Sequence, residues 1–272
     1  MNIEQINDFV VEPLPIAPLP SVDKIKGSQL FPMLYKNCFI IAPKNSGKSQ
    51  VLSNILLNTI GKKTNIIFFV STASKDSTYE ALLKRLDDKQ INYTVFSSIY
   101  DDKGSSILDQ MINSMLDQPD VPRTTKKKQD PKPDVPQLFL NHVVPEKREK
   151  REKLISPKYI FVFDDLSTEL RDPSITRLLK IHRHLKSCVF LSSQRSTDLT
   201  PGSFNQLDYC LLFRGYSTNI DRLQAIYQNI DIAIPFEQFL DLYREATKEK
   251  YSFLYISKNG EYRINFNKRF NL

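Results

Sequence analysis

The feature that most constrains the fold is an apolar run that leads through a short loop into a segment of helical periodicity. The run is NCFIIA at residues 37–42, and the helical segment is GKSQVLSNILLNTI at 47–60. Apolar side chains recur in the second segment at spacings of three and four residues, which is typical of a helix packed on one side. Similar pairs of run and segment recur along the chain. Strands separated by helices pair in parallel through right-handed crossovers, so the sequence predicts an α/β fold around a parallel central sheet.

Further apolar runs and amphipathic segments continue this alternation. The predicted strands are 64–71, 93–97, 158–166, 188–194 and 208–213. The predicted helices are 74–89, 105–117, 174–185, 219–230 and 235–246. The segment 251–266 predicts a C-terminal β-hairpin, because Asn259-Gly260 is a dipeptide that favours a two-residue hairpin turn.

Composition divides the chain into three parts. Residues 11–20, VEPLPIAPLP, hold four prolines, and residues 119–157 hold seven of the sixteen prolines in the chain. Residues 119–158 also carry eleven Lys or Arg and six Asp or Glu, which is most of the formal net charge of +7. Proline-rich, charged segments bury few side chains. The sequence therefore predicts an extended proline-rich arm at 1–30, a single domain formed by 31–118 and 158–272, and a flexible basic insert at 119–157.

The composition also disfavours several classes of protein. No apolar run approaches the roughly 18–20 residues of a membrane span, and the start of the chain, MNIEQINDFV, does not have the pattern of a secretory signal. The three cysteines, Cys38, Cys188 and Cys210, each lie in an apolar run, which predicts buried thiols in a reducing compartment. A zinc-type site is disfavoured because no paired Cys or His spacing is present.

The loop between the first strand and the first helix, APKNSGKS at 42–49, has the features of a phosphate-binding loop. Backbone N–H groups from Lys44 to Lys48 and the dipole of the following helix would converge there on an anion. Gly47 allows close approach of the backbone, Lys48 would reach the β- and γ-phosphates of ATP, and Ser49 would ligate Mg²⁺. The candidate nucleotide-binding residues are Ala42, Pro43, Lys44, Asn45, Ser46, Gly47, Lys48, Ser49 and Gln50.

This loop departs from the usual pattern at its first position, where Ala42 replaces a glycine. Alanine fits at the strand exit if its φ is negative, because its methyl group is the smallest side-chain obstruction. A working site, a decayed site and a chance Gly-Lys-Ser sequence are the three interpretations of the loop taken alone.

Two other strand ends supply the partners that such a loop needs. Asp164 and Asp165 follow the run YIFVF; Asp164 would hold Mg²⁺ through water, and Asp165 would polarise the attacking water. Gln194 ends the run CVFLSSQ and would act as a γ-phosphate sensor if its strand lies between the two motif strands. Doubled acids also occur in solvated turns, and a polar residue can simply end a strand.

Phosphoryl transfer also requires a cation on the charge that develops in the transition state. The candidate arginine fingers are Arg183, Arg195 and Arg214, although an arginine near a strand end is often only a surface charge. Arg183 is favoured because it lies off the apolar stripe of its predicted helix. His182 lies on that stripe and is predicted to be a packed core histidine.

The motifs in this order resemble the viral genome-packaging ATPases of the FtsK–HerA superfamily, in the branch of poxviruses, giant DNA viruses, virophages and polinton-like elements. The resemblance rests on FIIAPKNSGKS, IFVFDDL, RHLKSCVFLSSQ and DYCLLFR, and it covers 31–118 and 158–215. Its more specific part is the Arg-His pair, apolar strand and Gln, here at Arg183, His184 and Gln194. The chain has Phe204 before its Asn, where that family often carries an arginine.

The resemblance implies a P-loop NTPase fold of RecA-like (ASCE) type and an ATPase that uses ATP and Mg²⁺ to translocate double-stranded DNA into a capsid. It also implies a homo-oligomeric ring, most often a hexamer, with capsid proteins or a portal vertex as partners. The expected location is the host cytoplasm or a virus factory, with association to the virion.

The residues expected to act in this motor are of two kinds. The expected catalytic residues are Asp165, Gln194 and Arg183. The candidate DNA contacts, all in the basic insert, are Lys126, Lys127, Lys128, Lys147 and Arg148. The alternative hypothesis is a nucleotide-binding switch or interaction protein that does not translocate DNA, and Ala42 and Phe204 are the residues that favour it.

Overall fold

One nine-stranded sheet organises the residues described by the computed structural model, which are 20–71, 76–117, 154–216, 219–230 and 232–272. The strands are β1 (Asn37–Ile41), β2 (Asn65–Val70), β3 (Asn92–Phe96), β4 (Tyr159–Asp164), β5 (Ser187–Ser193), β6 (Tyr209–Phe213), β7 (Phe253–Ser257), β8 (Tyr262–Ile264) and β9 (Lys268–Arg269). Their order is β3-β2-β4-β5-β1-β6-β7-β8-β9. The strands from β3 to β6 pair in parallel, and β7, β8 and β9 continue the sheet antiparallel. The predicted parallel sheet and C-terminal hairpin are confirmed, while the short strand β9 was not predicted.

Helices cover both faces of this sheet. They are α1 (Lys48–Thr59), α2 (Ser77–Asp88), α3 (Ile107–Leu116), α4 (Pro173–Ile181), α5 (Pro201–Phe204), α6 (Ile220–Asn229) and α7 (Phe236–Ala246). Every residue of β1, β5 and β6 is buried, as expected for parallel strands that pack against helices on both sides. None of the helices in the described ranges has the length and apolar character required to cross a membrane.

The strand β5 lies between β4 and β1, which meets the condition set above for the glutamine sensor. The register pairs Ile41 with Ser193 and Ser192 with Asp164. Ala42 extends the ladder by one bond, since its N–H donates to the carbonyl of Ser193 at 3.0 Å. The carboxyl ends of three motif strands therefore meet at one edge of the sheet, the edge at which open α/β sheets bind ligands.

The helix α4 ends at Ile181, earlier than its predicted end at 185. The next residue, His182, is buried, and its Nδ1 lies 2.8 Å from the carbonyl oxygen of Leu179 and 3.1 Å from Nδ2 of Asn37. Its own carbonyl accepts the N–H of Ser187 at 2.9 Å, which turns the chain into β5. The prediction that His182 is a packed core residue is confirmed, and the predicted helix end at 185 is four residues later than the observed one.

Parts of the predicted arm and insert contact the domain where the structure describes them. Nζ of Lys26 in the arm donates to the carbonyl of Ile60, and the carbonyl of Pro157 in the insert accepts the hydroxyl of Thr64 at 2.8 Å. The ranges 1–19 and 118–153 lie outside the described residues, and with them all five candidate DNA contacts. The division into arm, domain and insert stays a prediction.

We expect Leu178→Ala to lower the free energy of unfolding by about 2–5 kcal/mol, because this α4 side chain is fully buried and its loss leaves a cavity. Urea denaturation followed by circular dichroism measures the change. Lys180→Ala, at an exposed position of the same helix, is the control and should change the free energy by less than about 0.5 kcal/mol. Equal losses from the two variants would contradict the buried face given to α4.

Candidate nucleotide-binding site

The loop between β1 and α1 is shaped by two residues with positive φ. Asn45 has a φ of +58° and Gly47, which precedes the first residue of α1, has a φ of +85°. Asparagine and glycine are the residues that tolerate this region best. The hydroxyl of Ser46 donates to the carbonyl of Pro43 at 2.7 Å and closes the turn. The first N–H groups of α1 have no acceptor within the helix, so the loop can present them to an anion.

The other predicted loop residues lie on both sides of this turn. Ala42 is fully buried and has a negative φ, so the backbone does not require a glycine at this position. Lys44 is exposed at the tip of the loop, and Ser49 and Gln50 lie in the first turn of α1. The replacement that made the motif irregular is therefore compatible with the geometry of the loop.

Lys48 joins the loop to the two acids at the end of β4, where Asp164 is the last strand residue and Asp165 follows it. Its Nζ lies 2.7 Å from Oδ1 of Asp164 and 2.7 Å from Oδ1 of Asp165. The side chain of Lys48 is 11% exposed and that of Asp164 only 1%. Burial alone would lower the pKa of Lys48, but the two carboxylates outweigh it and the net shift is upward. The lysine is therefore held as an ammonium ion at the edge where the phosphates of a nucleotide would lie.

Tyr79 of α2 is a site residue that the sequence did not reveal. Its hydroxyl donates to Oδ2 of Asp164 at 2.8 Å, and both side chains are buried. Burial raises the pKa of Asp164, while the contacts with Lys48 and Tyr79 act in the opposite direction. Burial and the nearby carboxylates raise the pKa of Tyr79 well above its usual value, so it remains a hydrogen-bond donor. In the sequence, Tyr79 is only an apolar-stripe residue of its helix, and its contact depends on β2 lying beside β4.

Asp165 differs from Asp164 in exposure and in backbone conformation. Its side chain is 36% exposed and its φ is +55°, a region in which non-glycine residues are uncommon. The hydroxyl of Ser71, just after β2, donates to the carbonyl of Asp165 at 2.9 Å and helps to hold this conformation. Water can reach Asp165, whereas Asp164 is enclosed.

Gln194 is exposed at the end of β5, between the ends of β1 and β4. The hydroxyl of the buried Tyr216 donates to the carbonyl of Gln194 at 2.8 Å. Next to it, the hydroxyl of Ser193 donates to the carboxylate of Asp198. These bonds fix the backbone of the predicted sensor at the same edge as the phosphate loop.

The candidate arginines lie at two different edges of the sheet. Arg195 and Arg214 follow β5 and β6, at the edge of the phosphate loop, and both are exposed. Arg183 precedes β5 at the opposite edge, where its Nη2 lies 3.3 Å from Oδ1 of Asp208 and its side chain is 61% exposed. The structure does not bring Arg183 to Lys48 within one chain, so a role for Arg183 at this site requires a neighbouring subunit.

The end of β6 packs directly against the loop. Gly215 has a φ of +131°, and a Cβ at this position would lie 2.5 Å from Cγ of Pro43. A side chain there would have to displace the start of the loop, so the glycine is required by both conformation and space.

Comparison with known proteins identifies the fold. The chain matches no protein-family model and no curated protein sequence at a significant level. It is similar in structure to the DNA-packaging ATPase from Sulfolobus turreted icosahedral virus, with a TM-score of 0.50 and 18% sequence identity over 84% of this chain and 95% of that chain. A second similar structure is the genome packaging NTPase from Sulfolobus turreted icosahedral virus 2 in complex with AMP, with a TM-score of 0.50 and 17% identity over 84% of this chain and 94% of that chain. At these identities the similarity concerns the fold, and the predicted α/β fold class with a parallel central sheet is confirmed.

We expect Ala42→Gly to lower the free energy of unfolding by about 0.5–1 kcal/mol, because glycine loses more backbone entropy on folding. ATP affinity and turnover should change little, since Ala42 already has a negative φ. Lys48→Ala, the comparison variant, should abolish both. Calorimetric binding and phosphate release measure these effects. A rise in turnover by orders of magnitude in Ala42→Gly would instead mean that the alanine weakens the loop.

We expect Tyr79→Phe to shift the acid limb of the pH profile of ATP turnover to higher pH, because its hydrogen bond lowers the pKa of Asp164 and the carboxylate form is the one required. The free energy of unfolding should fall by about 1–3 kcal/mol, the cost of a buried acceptor that loses its donor. Tyr227→Phe is the matched control, because it removes a hydrogen bond to the carbonyl of Ile234 far from Asp164. If both variants leave the pH profile unchanged, the hydrogen bond from Tyr79 does not set the pKa of Asp164 in the active form.

Proposed function

We propose that the chain is an ATP-hydrolysing motor of the FtsK–HerA superfamily and that it translocates double-stranded DNA into a viral capsid. The observation that carries the proposal is the contact of Lys48 with both Asp164 and Asp165, at 2.7 Å each. The loop and the acids belong to strands separated by β5, so the contact reflects the folded sheet and not closeness in sequence. The fold shared with two viral packaging NTPases supports the same conclusion.

Binding of ATP would require Lys48 to exchange its carboxylate contacts for phosphate oxygens. The N–H groups of the loop and of the first turn of α1 would hold the phosphates, and Lys48 would follow them. Its departure would leave Asp164 and Asp165 without a compensating charge, which favours a divalent cation beside them. Carboxylate and hydroxyl oxygens suit Mg²⁺, so Asp164 and Ser49 fit as its ligands, directly or through water. Bound Mg²⁺ would neutralise charge on the phosphate oxygens.

The remaining groups at this edge would act on the attacking water. Asp165 is exposed enough to hold a water molecule and would polarise it as general base. Gln194, fixed through its backbone by Tyr216, would sense the γ-phosphate. The buried hydrogen bond from Tyr79 would keep Asp164 oriented while Lys48 moves. These roles divide binding, orientation and proton transfer among residues of three strand ends and the helix α2.

A ring of subunits would supply the missing cation. Arg195 and Arg214 lie at the nucleotide edge, and Arg183 lies at the opposite edge with an exposed guanidinium. In a homo-oligomeric ring, such as a hexamer, an arginine of one subunit can reach the nucleotide of its neighbour and stabilise the transition state. All three stay candidates for this finger.

DNA contacts in a translocase should be made to the phosphate backbone, because a motor must not stall on a particular sequence. The basic cluster at 126–128 and the pair Lys147 and Arg148 are the candidates in the insert. Capsid proteins or a portal vertex would be the further partners, and the host cytoplasm, a virus factory or the virion the place of action.

A second candidate function is a nucleotide-binding switch that does not move DNA. The observation that favours it is the burial of Phe204 against Phe39 in the core, at the position where the packaging ATPases that the sequence resembles often carry an arginine. The ion pair of Lys48 with the two acids would give the switch its mechanism, because a nucleotide would have to break it. The edge of the sheet would then have two states, one with Lys48 on the acids and one with Lys48 on the phosphates, and a ligand can select between such states.

We expect long duplex DNA to stimulate ATP hydrolysis by the full chain and the stimulation to fall as the salt concentration rises, because phosphate contacts release counterions. Phosphate release, measured at low and high salt with and without DNA, tests this. If DNA did not stimulate hydrolysis at any salt concentration, the result would contradict the proposal that the chain is a DNA-translocating motor.

Asp165→Asn separates the two candidate functions. If the chain is a motor, this variant should bind ATP as wild type does and fail to hydrolyse it, because the general base is lost. If the chain is a switch, wild type and variant should bind ATP equally and neither should hydrolyse it. Mass measurement with ATP and duplex DNA would show in parallel whether a ring forms.

A further inference from the structure

Tyr251 lies beside the phosphate loop, although it belongs to the carboxyl-terminal part of the chain. A Cβ placed on Gly47 would lie 3.3 Å from Cδ1 of Tyr251 and 3.7 Å from its Cγ, so the tyrosine side chain faces the glycine of the loop at contact distance. Tyr251 is nevertheless 53% exposed. An aromatic ring that borders the loop and is also open to solvent is accessible to a ligand whose phosphates lie in the loop.

The backbone of Tyr251 is held in an unusual conformation. Its φ is +67°, which for a bulky side chain is an outlier of the kind that concentrates at ligand sites. The next residue, Ser252, donates to the carbonyl of Glu249 through its hydroxyl at 2.7 Å. The carbonyl of Ser252 accepts the N–H of Arg214 at 3.1 Å, and β7 begins one residue later. The turn is therefore tied to the sheet, and the ring is presented on a rigid support.

The side chain of Lys250 lies over the ring of Tyr251. Nζ of Lys250 lies 4.7 Å from the ring centroid, and Lys250 is exposed. A cation over an exposed aromatic ring is held weakly, so a flat ligand can displace the lysine.

We propose that Tyr251 forms the base subsite of the nucleotide site, with its ring stacked on the nucleobase of the nucleotide whose phosphates lie in the loop. The proposal rests on the nucleotide-binding part of the proposed function. The base of a nucleotide is joined to its phosphates by one sugar, so it must lie near the loop, where Tyr251 stands. Stacking is tolerant of base identity because every base has a π-face. The subsite should therefore give a nucleotide a higher affinity than a bare polyphosphate. It should discriminate less between nucleotides that differ only in their base.

The test compares ADP with inorganic tripolyphosphate as ligands of the full chain, with Mg²⁺ present, by calorimetry. Tyr251→Leu keeps an apolar side chain against Gly47 and removes the π-face. It should weaken ADP binding by about 5- to 150-fold, the range that corresponds to loss of one base stack, and leave tripolyphosphate binding unchanged. Tyr251→Phe keeps the ring and should bind both ligands as wild type does. Thermal melting of the free proteins verifies that each variant is folded.

Each result decides the matter. Selective loss of ADP affinity in Tyr251→Leu, with Tyr251→Phe intact, supports the base subsite. Equal loss of both ligands would mean that Tyr251 only supports the loop, and no loss of either would mean that the base lies elsewhere; both results overturn the proposal while leaving the proposed function standing. If wild type binds neither ligand, the proposed function itself fails.

Discussion

The contact of one ammonium group with two carboxylates holds the functional edge of this protein together. Lys48 reaches across from the loop after β1 to the acids after β4, and Asp164 at the centre of the contact is almost completely buried. Two charges in such a place are stable only when they are paired and hydrogen-bonded. The hydroxyl of Tyr79 supplies the further bond. In the proposed function, a nucleotide would draw Lys48 away, and another cation would then have to take the place of its ammonium group at the acids. Phosphate binding would in that way be coupled to metal binding.

This contact in turn depends on the order of the strands. β5 separates β1 from β4, so the lysine and the acids face each other across one intervening strand, and Gln194 ends that strand. Segments from farther along the chain close the same edge. Gly215 allows the end of β6 to pack against Pro43, and Tyr251 faces Gly47 from the turn before β7. The C-terminal strands thus complete the surroundings of a loop encoded near the start of the chain.

Much of this arrangement was predictable because its determinants are local. Apolar runs separated by helical segments indicated parallel strands, and all six appear within two residues of the predicted bounds. The end of α4 was less predictable, because the chain turns toward β5 after Ile181 through hydrogen bonds that the sequence does not show, such as that from the N–H of Ser187 to the carbonyl of His182. Tyr79 and Tyr251 were not predicted as site residues for the same reason. Each is an ordinary aromatic residue in its own segment, and each acquires its role from a neighbour distant in the chain.

The sequence by itself determined the fold class, and it predicted the loop, the two acids and the glutamine as a candidate site, because strand–loop–helix spacing and residue chemistry are properties of short segments. Only the tertiary structure decided that Ala42 has a negative φ, that Lys48 contacts both acids, and that Tyr79 and Tyr251 border the candidate site. It also placed Arg183 at the edge opposite the loop, paired with Asp208. The physical reason is that these outcomes depend on strand order and on the exit geometry of loops. Both are set by the packing of the whole sheet, and no single segment encodes them.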